Sequence, residues 1–182
     1  MTPFRFTLQK KIQAASVVLC GRGHMDKLRV LKLLYIADRE SLAERGCPII
    51  GGRMVAMNHG PLHSEIYDLI KGSNFKSGDW SKYIATGPGH TLVLIDEPDR
   101  MDLSPYEIDK LNEVTDRYSQ MDTWDLLHLT HSFQEWIDNF HANTSTPIPA
   151  EDAMKAVGFS DDEIQHVMRD AASHSMLLQK MA

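Results

Sequence analysis

Apolar positions are densest between about Asp26 and Arg45, where they recur at the three- and four-residue spacing of a helix. The members of the apolar face are Leu28, Leu31, Leu34, Tyr35, Asp38 and Leu42, and a thin polar stripe holds Arg29, Lys32 and Arg39. Because so little of this segment is polar, the pattern predicts a central helix that is covered on most sides. Gly46 provides its end.

The carboxylate of Asp38 falls on the covered face of this helix. An ionised carboxylate in such a position needs charged or hydrogen-bonding partners that offset its desolvation. The nearest candidates are Arg53 and His59, so we expect a buried polar cluster in which one of them reaches Asp38. In this interpretation the carboxylate anchors the turn His59-Gly60-Pro61.

A short strand and a turn precede the next predicted helix. Residues 53–57 have the pattern of a strand and residues 58–60 that of a turn. Pro61 fits the first position of a helix, because the N–H that proline lacks is unpaired there in any case. The apolar stripe of this helix runs to Ile70, and Gly72 ends it.

A hairpin is predicted further along, where residues 83–86 and 90–95 flank Gly87-Pro88-Gly89. The preceding segment, residues 73–79, is polar and turn-like. Together with the strand at 53–57, the hairpin is expected to form an antiparallel sheet of two or three strands, which needs helices packed against it. The expected fold is therefore α+β and predominantly α-helical, with a helical core around the central buried helix.

Helix-start signals mark the rest of the chain. Thr7 fits the N-cap of a first helix, and the segment Leu103-Ser104-Pro105-Tyr106-Glu107 contains a complete capping box. Asp122 or Thr123 opens another helix, and an aromatic stripe follows that predicts core burial. The stripe consists of Trp124, Phe133, Trp136, Ile137 and Phe140.

The strongest break in the chain is the polar, proline-containing segment at 143–149. It predicts a main domain over residues 1–142 and a C-terminal helical extension over residues 143–182. The extension contains a helix that Gly158 ends and a second helix that begins with the capping box Ser160-Asp161-Asp162-Glu163. About forty residues are too few for an independent core. We therefore expect the extension to pack on the same unit or to serve as a docking element for a partner.

Composition narrows the class of protein. The chain has 182 residues, 42% hydrophobic and 24% charged, which is the balance of a soluble globular protein. No apolar run approaches the roughly 20 residues that span a bilayer, and residues 1–6 lack the apolar core of a secretory signal, so we expect a cytoplasmic protein without membrane contact. The net charge is −6 and no stretch concentrates lysine and arginine, which disfavours nucleic-acid binding through this chain. Cys20 and Cys47 are expected to be reduced thiols.

Three catalytic or metal-binding hypotheses are available, and the residues favour none of them. The pairs His59 with His63 and His128 with His131 have spacings that metal ligands use, with Glu65 and Asp125 nearby, but no His-Glu-x-x-His run is present. Cys47 with His59 is a conceivable nucleophile pair, although Cys47 lies in a loop and not at a helix N-terminus. Asp38 with Glu65 is a conceivable acid and base pair. We expect turn-capping and core roles, and no metal or cofactor.

Several of these segments resemble the Panacea domain family, which is also described as antitoxin SocA-like or phage-associated GepA-like. The resemblance is carried by residues 33–39, Pro48-Ile49, Gly51, 55–57, His59-Gly60-Pro61-Leu62 and Ile66-Tyr67, then by Leu103-Ser104, Trp124-Asp125-Leu126, Leu129-Thr130-His131 and Trp136. It spans residues from about 10 to about 140. The most specific feature is the His-Gly-Pro turn that follows a helix with the pattern Leu-Tyr-x-Ala-Asp.

The resemblance implies a non-enzymatic antitoxin that neutralises a cognate toxin protein by binding it directly. The motif residues are expected to build the scaffold, and no residue is assigned to the face that contacts the toxin. These scaffold residues are Asp38, Arg53, His59, Gly60, Pro61 and Tyr67. Association with the toxin in a hetero-oligomer, or with further copies of the chain, stays open. The alternatives are a proteolytic adaptor, a phage-encoded regulator that binds a host protein, and a histidine-based metal-dependent hydrolase.

Overall fold

The computed structural model describes residue 4, residues 6–73 and residues 77–181, with side chains as far as residue 173. The centre of the expected turn at 73–79 therefore lies outside the described residues. The helices are α1 (Leu8–Leu19), α2 (Lys27–Arg45), α3 (Ser64–Ile70), α4 (Ser77–Trp80), α5 (Pro105–Arg117), α6 (Thr123–His131), α7 (Gln134–Asn139), α8 (Ala150–Ala156) and α9 (Asp161–Met181). The strands are β1 (His24–Asp26), β2 (Met54–Met57), β3 (Gly60–His63), β4 (Ile84–Thr86), β5 (Thr91–Leu94) and β6 (Thr146–Ile148). The prediction of a mainly helical α+β fold is confirmed.

Helix α2 is the central element, as predicted. It packs against α1, α5, α6 and β3, and every residue from Val30 to Asp38 is buried. The Asp26 carboxylate caps its start by accepting from the backbone N–H of Leu28 at 2.7 Å, and Gly46 ends it in a left-handed conformation. One expectation about this helix was wrong. Lys32, assigned to the polar stripe, is 0% exposed.

The predicted caps of α1 and α5 are present. The Thr7 side chain accepts from the backbone N–H of Lys10, and Ser104 and Glu107 form the reciprocal bonds of a capping box. These caps fix where the two helices begin, and both helices lie against α2. The hydrophobic core therefore forms around the sides of α2 that face α1, α5 and α6.

The strands form two antiparallel sheets instead of the single sheet that was expected. In the described residues their orders are β1-β5-β4 and β3-β2-β6. The hairpin β4–β5 is present, but β2 pairs with β3 and β6 and not with that hairpin. The expectation that Pro61 begins a helix was also wrong, because Pro61 lies in β3 opposite Ala56. An edge strand tolerates proline, and all four residues of β3 are buried, so no polar and apolar alternation marked it.

Strand β6 lies within residues 143–149, where a break in the chain was expected, and it belongs to the sheet β3-β2-β6. Met54 of β2 pairs with Ile148, and helix α8 packs on α7 and α2. A second, smaller apolar cluster contains Leu42 of α2 and Ile164 of α9. The division at residue 142 stays a prediction, although the strand pairing shows that residues 146–148 are bonded directly to β2.

The aromatic stripe is only partly buried. The helix that was expected to carry it is broken between His131 and Gln134, giving α6 and α7. Trp124 is 58% exposed and Ile137 is 50% exposed, so the expectation of core burial was wrong for both side chains. No helix in the described part of the chain is long and apolar enough to cross a membrane.

Candidate functional site

The Asp38 carboxylate binds the loop that returns from the end of α2. Its side chain is 2% exposed. Oδ1 accepts from the backbone N–H groups of Ile49 at 2.8 Å and Ile50 at 2.6 Å, and Oδ2 accepts from that of Gly51 at 3.0 Å. His63 Nε2 lies 3.2 Å from Oδ2. A carboxylate with three backbone donors is well satisfied, so this cluster fixes the loop onto the central helix.

Burial and hydrogen bonding have opposite effects on the pKa of Asp38. Burial raises the pKa of the Asp38 carboxyl, while His63 and the backbone N–H groups favour its ionised form. Burial also lowers the pKa of His63. Neither ring nitrogen of His63 makes an aligned hydrogen bond, so its contact with Asp38 is one of proximity. The backbone donors are therefore the principal partners of the carboxylate.

Gly51 has a positive φ, a backbone conformation that residues with a side chain adopt only with strain. Its φ is +56°, and a Cβ built there would lie 2.8 Å from the backbone oxygen of Phe4. The next residue, Gly52, donates its N–H to that same oxygen at 2.8 Å. The chain at residue 4 thus lies directly over the loop that Asp38 holds.

The two donors expected for Asp38 lie elsewhere. Arg53 is exposed, and its Nε donates to Ser64 Oγ at 2.9 Å. His59 is also exposed, and its ring lies 6.4 Å from the ring of Trp124. The expectation that one of them reaches Asp38 was wrong. His63, at the other end of β3, takes that position instead.

The His59-Gly60-Pro61 turn is held by Lys32 and not by Asp38. Lys32 Nζ donates to the backbone oxygen of Pro61 at 2.7 Å. No carboxylate in the described residues forms an ion pair with Lys32, and burial lowers the pKa of its ammonium to about 7. Gly60 has a φ of +82°, and a Cβ there would lie 2.8 Å from Thr130 Oγ1 and 2.9 Å from Lys32 Nζ. The glycine of the motif is therefore required by close packing and by backbone conformation together.

A second buried carboxylate links α2 to α7. Glu135 is 0% exposed, and its Oε1 accepts from Tyr35 OH at 3.2 Å and from Arg39 Nε at 2.8 Å. Its Oε2 has no hydrogen-bond partner. Burial, followed by the charge of Glu135, raises the pKa of Tyr35 well above its usual value. These contacts join the second half of the family motif to the central helix.

Lys32 and Glu135 were not identified as site residues from the sequence, and His63 was considered only as a possible metal ligand. A signal for Lys32 existed, because it is four residues after Leu28 and three before Tyr35 and so shares their covered face. The position of His63 beside Asp38 could be predicted only after β3, the strand that ends at His63, had been assigned. Glu135 lies on a helix of six residues, too short for its periodicity to mark a buried position.

An open groove of about 880 Å³ lies beside the His59-Gly60-Pro61 turn. It lies between the start of α2, the β2–β3 hairpin, α3 and the start of α6. Its apolar lining consists of Leu28, Leu31, Met57, Leu62, Tyr67 and Trp124, and its polar lining of Asp26, Lys27, Asn58, His59, His90, Thr123, Asn143, Thr144 and Ser145. Two of the expected scaffold residues, His59 and Tyr67, therefore line a surface that a partner can reach.

The catalytic and metal-binding hypotheses gain no geometric support. In the described residues no three His, Cys, Asp or Glu side chains are placed to hold a metal ion. His63 is buried beside Asp38 whereas His59 is exposed, and His131 stacks on Trp136 with ring centroids 4.1 Å apart. Glu65 pairs with Lys11 and not with Asp38. The arrangement suits the burial of charge and the support of a surface.

The family resemblance is confirmed by comparison with protein-family models. The model described as Antitoxin SocA-like, Panacea domain matches residues 30–137, which include all but the first three residues of α2, both strands of the β2–β3 hairpin and most of α7. The chain belongs to this family of antitoxin-like proteins. No curated protein and no solved structure matches it.

Proposed function

We propose that this chain is the antitoxin of a toxin–antitoxin pair and that it neutralises a cognate toxin in the cytoplasm by direct, non-covalent binding. Membership of the antitoxin family is the observation that carries the proposal. The family match covers part of the groove lining, including Leu31, His59, Leu62, Tyr67 and Trp124, so the shared part of the chain contributes to a surface suited to contact with another protein. Neutralisation by covering the toxin requires no reacting group on the antitoxin.

The buried polar residues support this proposal by their surroundings. Asp38 and Glu135 are enclosed and engaged by groups of the same chain, which leaves them no access to a substrate. Binding affinity in protein interfaces comes mainly from a few large apolar or aromatic anchors within a polar rim. The groove has that composition, because Tyr67 and Trp124 line it together with leucine side chains and polar residues.

The test is co-expression with the open reading frame next to the gene of this chain. We expect the neighbouring product to stop growth when expressed alone, and growth to recover when both proteins are made. The two proteins should then purify together at a fixed ratio. Growth arrest that persists during co-expression, or a neighbour that is harmless alone, would contradict the proposal.

A proteolytic adaptor predicts a different result in the same experiment. If the chain delivers its toxin to a protease, protection should disappear in a host that lacks that protease, and the toxin should accumulate there. If the chain acts by covering the toxin, protection should be unchanged in such a host. Measuring toxin abundance together with growth separates the two mechanisms.

A further inference from the structure

The groove beside the His59-Gly60-Pro61 turn combines an apolar floor with an exposed aromatic side chain. Leu28 and Leu31 of α2 and Leu62 of β3 form the floor, and Trp124 stands at the side with 58% of its surface exposed. Leaving so large an apolar side chain in water forgoes burial that is worth roughly 1.5–3 kcal/mol. Among the ring–ring contacts of the described residues, Trp124 takes part in one, an edge-on contact with His59. Its position therefore indicates an anchor for a partner.

The formal charges in the groove lining balance, with one lysine and one aspartate, although the whole protein is acidic. The chain carries a net charge of −6. Among the groove residues the cation is Lys27, and His59 and His90 are bases. The single carboxylate, Asp26, accepts from the N–H groups of Leu28 and Arg29 and so serves as the cap of α2. An acidic ligand therefore meets no free carboxylate in the groove lining.

The contact between Lys27 and His90 strengthens this argument. Lys27 Nζ lies 3.3 Å from His90 Nδ1. An ammonium has only donors, so the histidine nitrogen must accept, and the positive charge of Lys27 is left without a carboxylate partner in the groove. A carboxylate on a bound protein would provide the missing countercharge.

We propose that the groove is the docking site for a segment of the toxin that presents one large apolar side chain flanked by acidic residues. The apolar side chain enters between Tyr67 and Trp124, and an acidic flank lies beside Lys27. This inference rests on the proposed antitoxin function and assigns its binding face. Lys27, which has no carboxylate partner among the groove residues, favours an acidic segment of the toxin as the occupant, and self-association through the groove is an outcome that the test separates.

The experiment measures the dissociation constant between the full-length chain and the toxin encoded by the neighbouring gene, by isothermal titration calorimetry. Trp124→Ala should weaken binding at least about tenfold, as expected for a central aromatic anchor. The matched control is Ile137→Ala, which removes another large exposed side chain outside the groove, and it should stay within about twofold of the wild type. Circular dichroism should give the same unfolding temperature for both variants.

The charge is tested by Lys27→Glu. This residue begins α2, where an acidic side chain is favourable to the helix dipole, so a loss of binding would not result from a weakened helix. We expect about tenfold weaker binding for Lys27→Glu and a smaller dependence of affinity on salt. Lys82→Glu, an exposed charge reversal away from the groove, should change neither quantity.

Each outcome decides between the inference and the function on which it rests. If wild-type protein binds the toxin and both Trp124→Ala and Lys27→Glu bind equally well, the groove assignment is wrong while the antitoxin function stands. If Trp124→Ala abolishes self-association of the chain and leaves toxin binding intact, the groove is an interface between copies. If the wild-type protein does not bind the toxin at all, the proposed function fails and the groove assignment fails with it.

Discussion

The cluster around Asp38 and the groove beside Trp124 flank the same β2–β3 hairpin but have opposite characters. Asp38 is enclosed, and its two oxygens are engaged by backbone donors of its own chain. Trp124 is exposed, and its side chain has no comparable partners among the residues that the structure describes. The comparison teaches that polar residues of a family motif can serve the fold, while the surface proposed for recognition lies next to them.

A second contrast lies within helix α2 itself. Asp38 and Lys32 are both buried, but Asp38 meets several donors whereas Lys32 meets a single carbonyl oxygen and no carboxylate among the described residues. The Asp38 carboxylate therefore has its hydrogen-bonding capacity satisfied, whereas the burial of the Lys32 ammonium destabilises the folded chain. The two residues should respond differently to substitution and to pH.

The largest effect is expected for Asp38→Ala. This change leaves the N–H groups of Ile49, Ile50 and Gly51 buried without an acceptor, and it should lower the free energy of unfolding by about 3–5 kcal/mol. Asp38→Asn keeps one acceptor oxygen and should cost less, about 1–3 kcal/mol. Urea denaturation measures both values. Equal and small losses for the two variants would show that the loop does not depend on this side chain.

Gly60→Ala should come next. Its φ of +82° and the short approaches to Thr130 Oγ1 and Lys32 Nζ predict a loss of about 2–4 kcal/mol. Gly72→Ala is the matched control, since Gly72 also has a positive φ but open space around it, and it should cost only about 1 kcal/mol. If the two substitutions cost the same in urea denaturation, close packing at Gly60 plays no part.

Lys32 gives a smaller effect that depends on pH. Its pKa is lowered to about 7 in the folded chain, whereas an unfolded lysine keeps its proton up to about pH 10.4. Between these values the unfolded state binds more protons, so stability rises with pH. The free energy of unfolding of the wild type relative to Lys32→Met should increase by about 2 kcal/mol from pH 7 to pH 9. A difference that does not change with pH would contradict the lowered pKa.

The smallest effect on stability is expected for Trp124→Ala. Its exposed side chain supports little of the fold, so the free energy of unfolding should change by less than about 0.5 kcal/mol. Thermal unfolding followed by circular dichroism measures this. A loss of 2 kcal/mol or more would place Trp124 among the structural residues and weaken the contrast with Asp38.

The starts of α1 and α5 and the end of α2 were predictable from the sequence because local signals determine them. The caps at Thr7 and Ser104 and the helix end at Gly46 depend on neighbouring backbone groups only, and each was found where the sequence placed it. The central position of α2 followed from its lack of polar surface. These features need no knowledge of the rest of the fold.

Strand pairing and the partners of buried charges were not predictable in the same way. Strand β6 pairs with β2 across some ninety residues, and nothing local marks either strand as its neighbour. Asp38 is satisfied by backbone N–H groups, which every residue carries, so a search among charged side chains selected Arg53 and His59 instead. The aromatic pattern revealed neither the exposure of Trp124 nor the break between α6 and α7.

The most direct test of the division between scaffold and recognition surface is the toxin affinity of folded Asp38→Asn protein. The measurement is made by calorimetry at a temperature where circular dichroism shows the variant to be fully folded. We predict a dissociation constant within about twofold of the wild-type value despite the lower free energy of unfolding, because Asp38 lies inside the chain. A tenfold or greater loss of affinity in the folded variant would contradict the account, since it would show that Asp38 takes part in recognition.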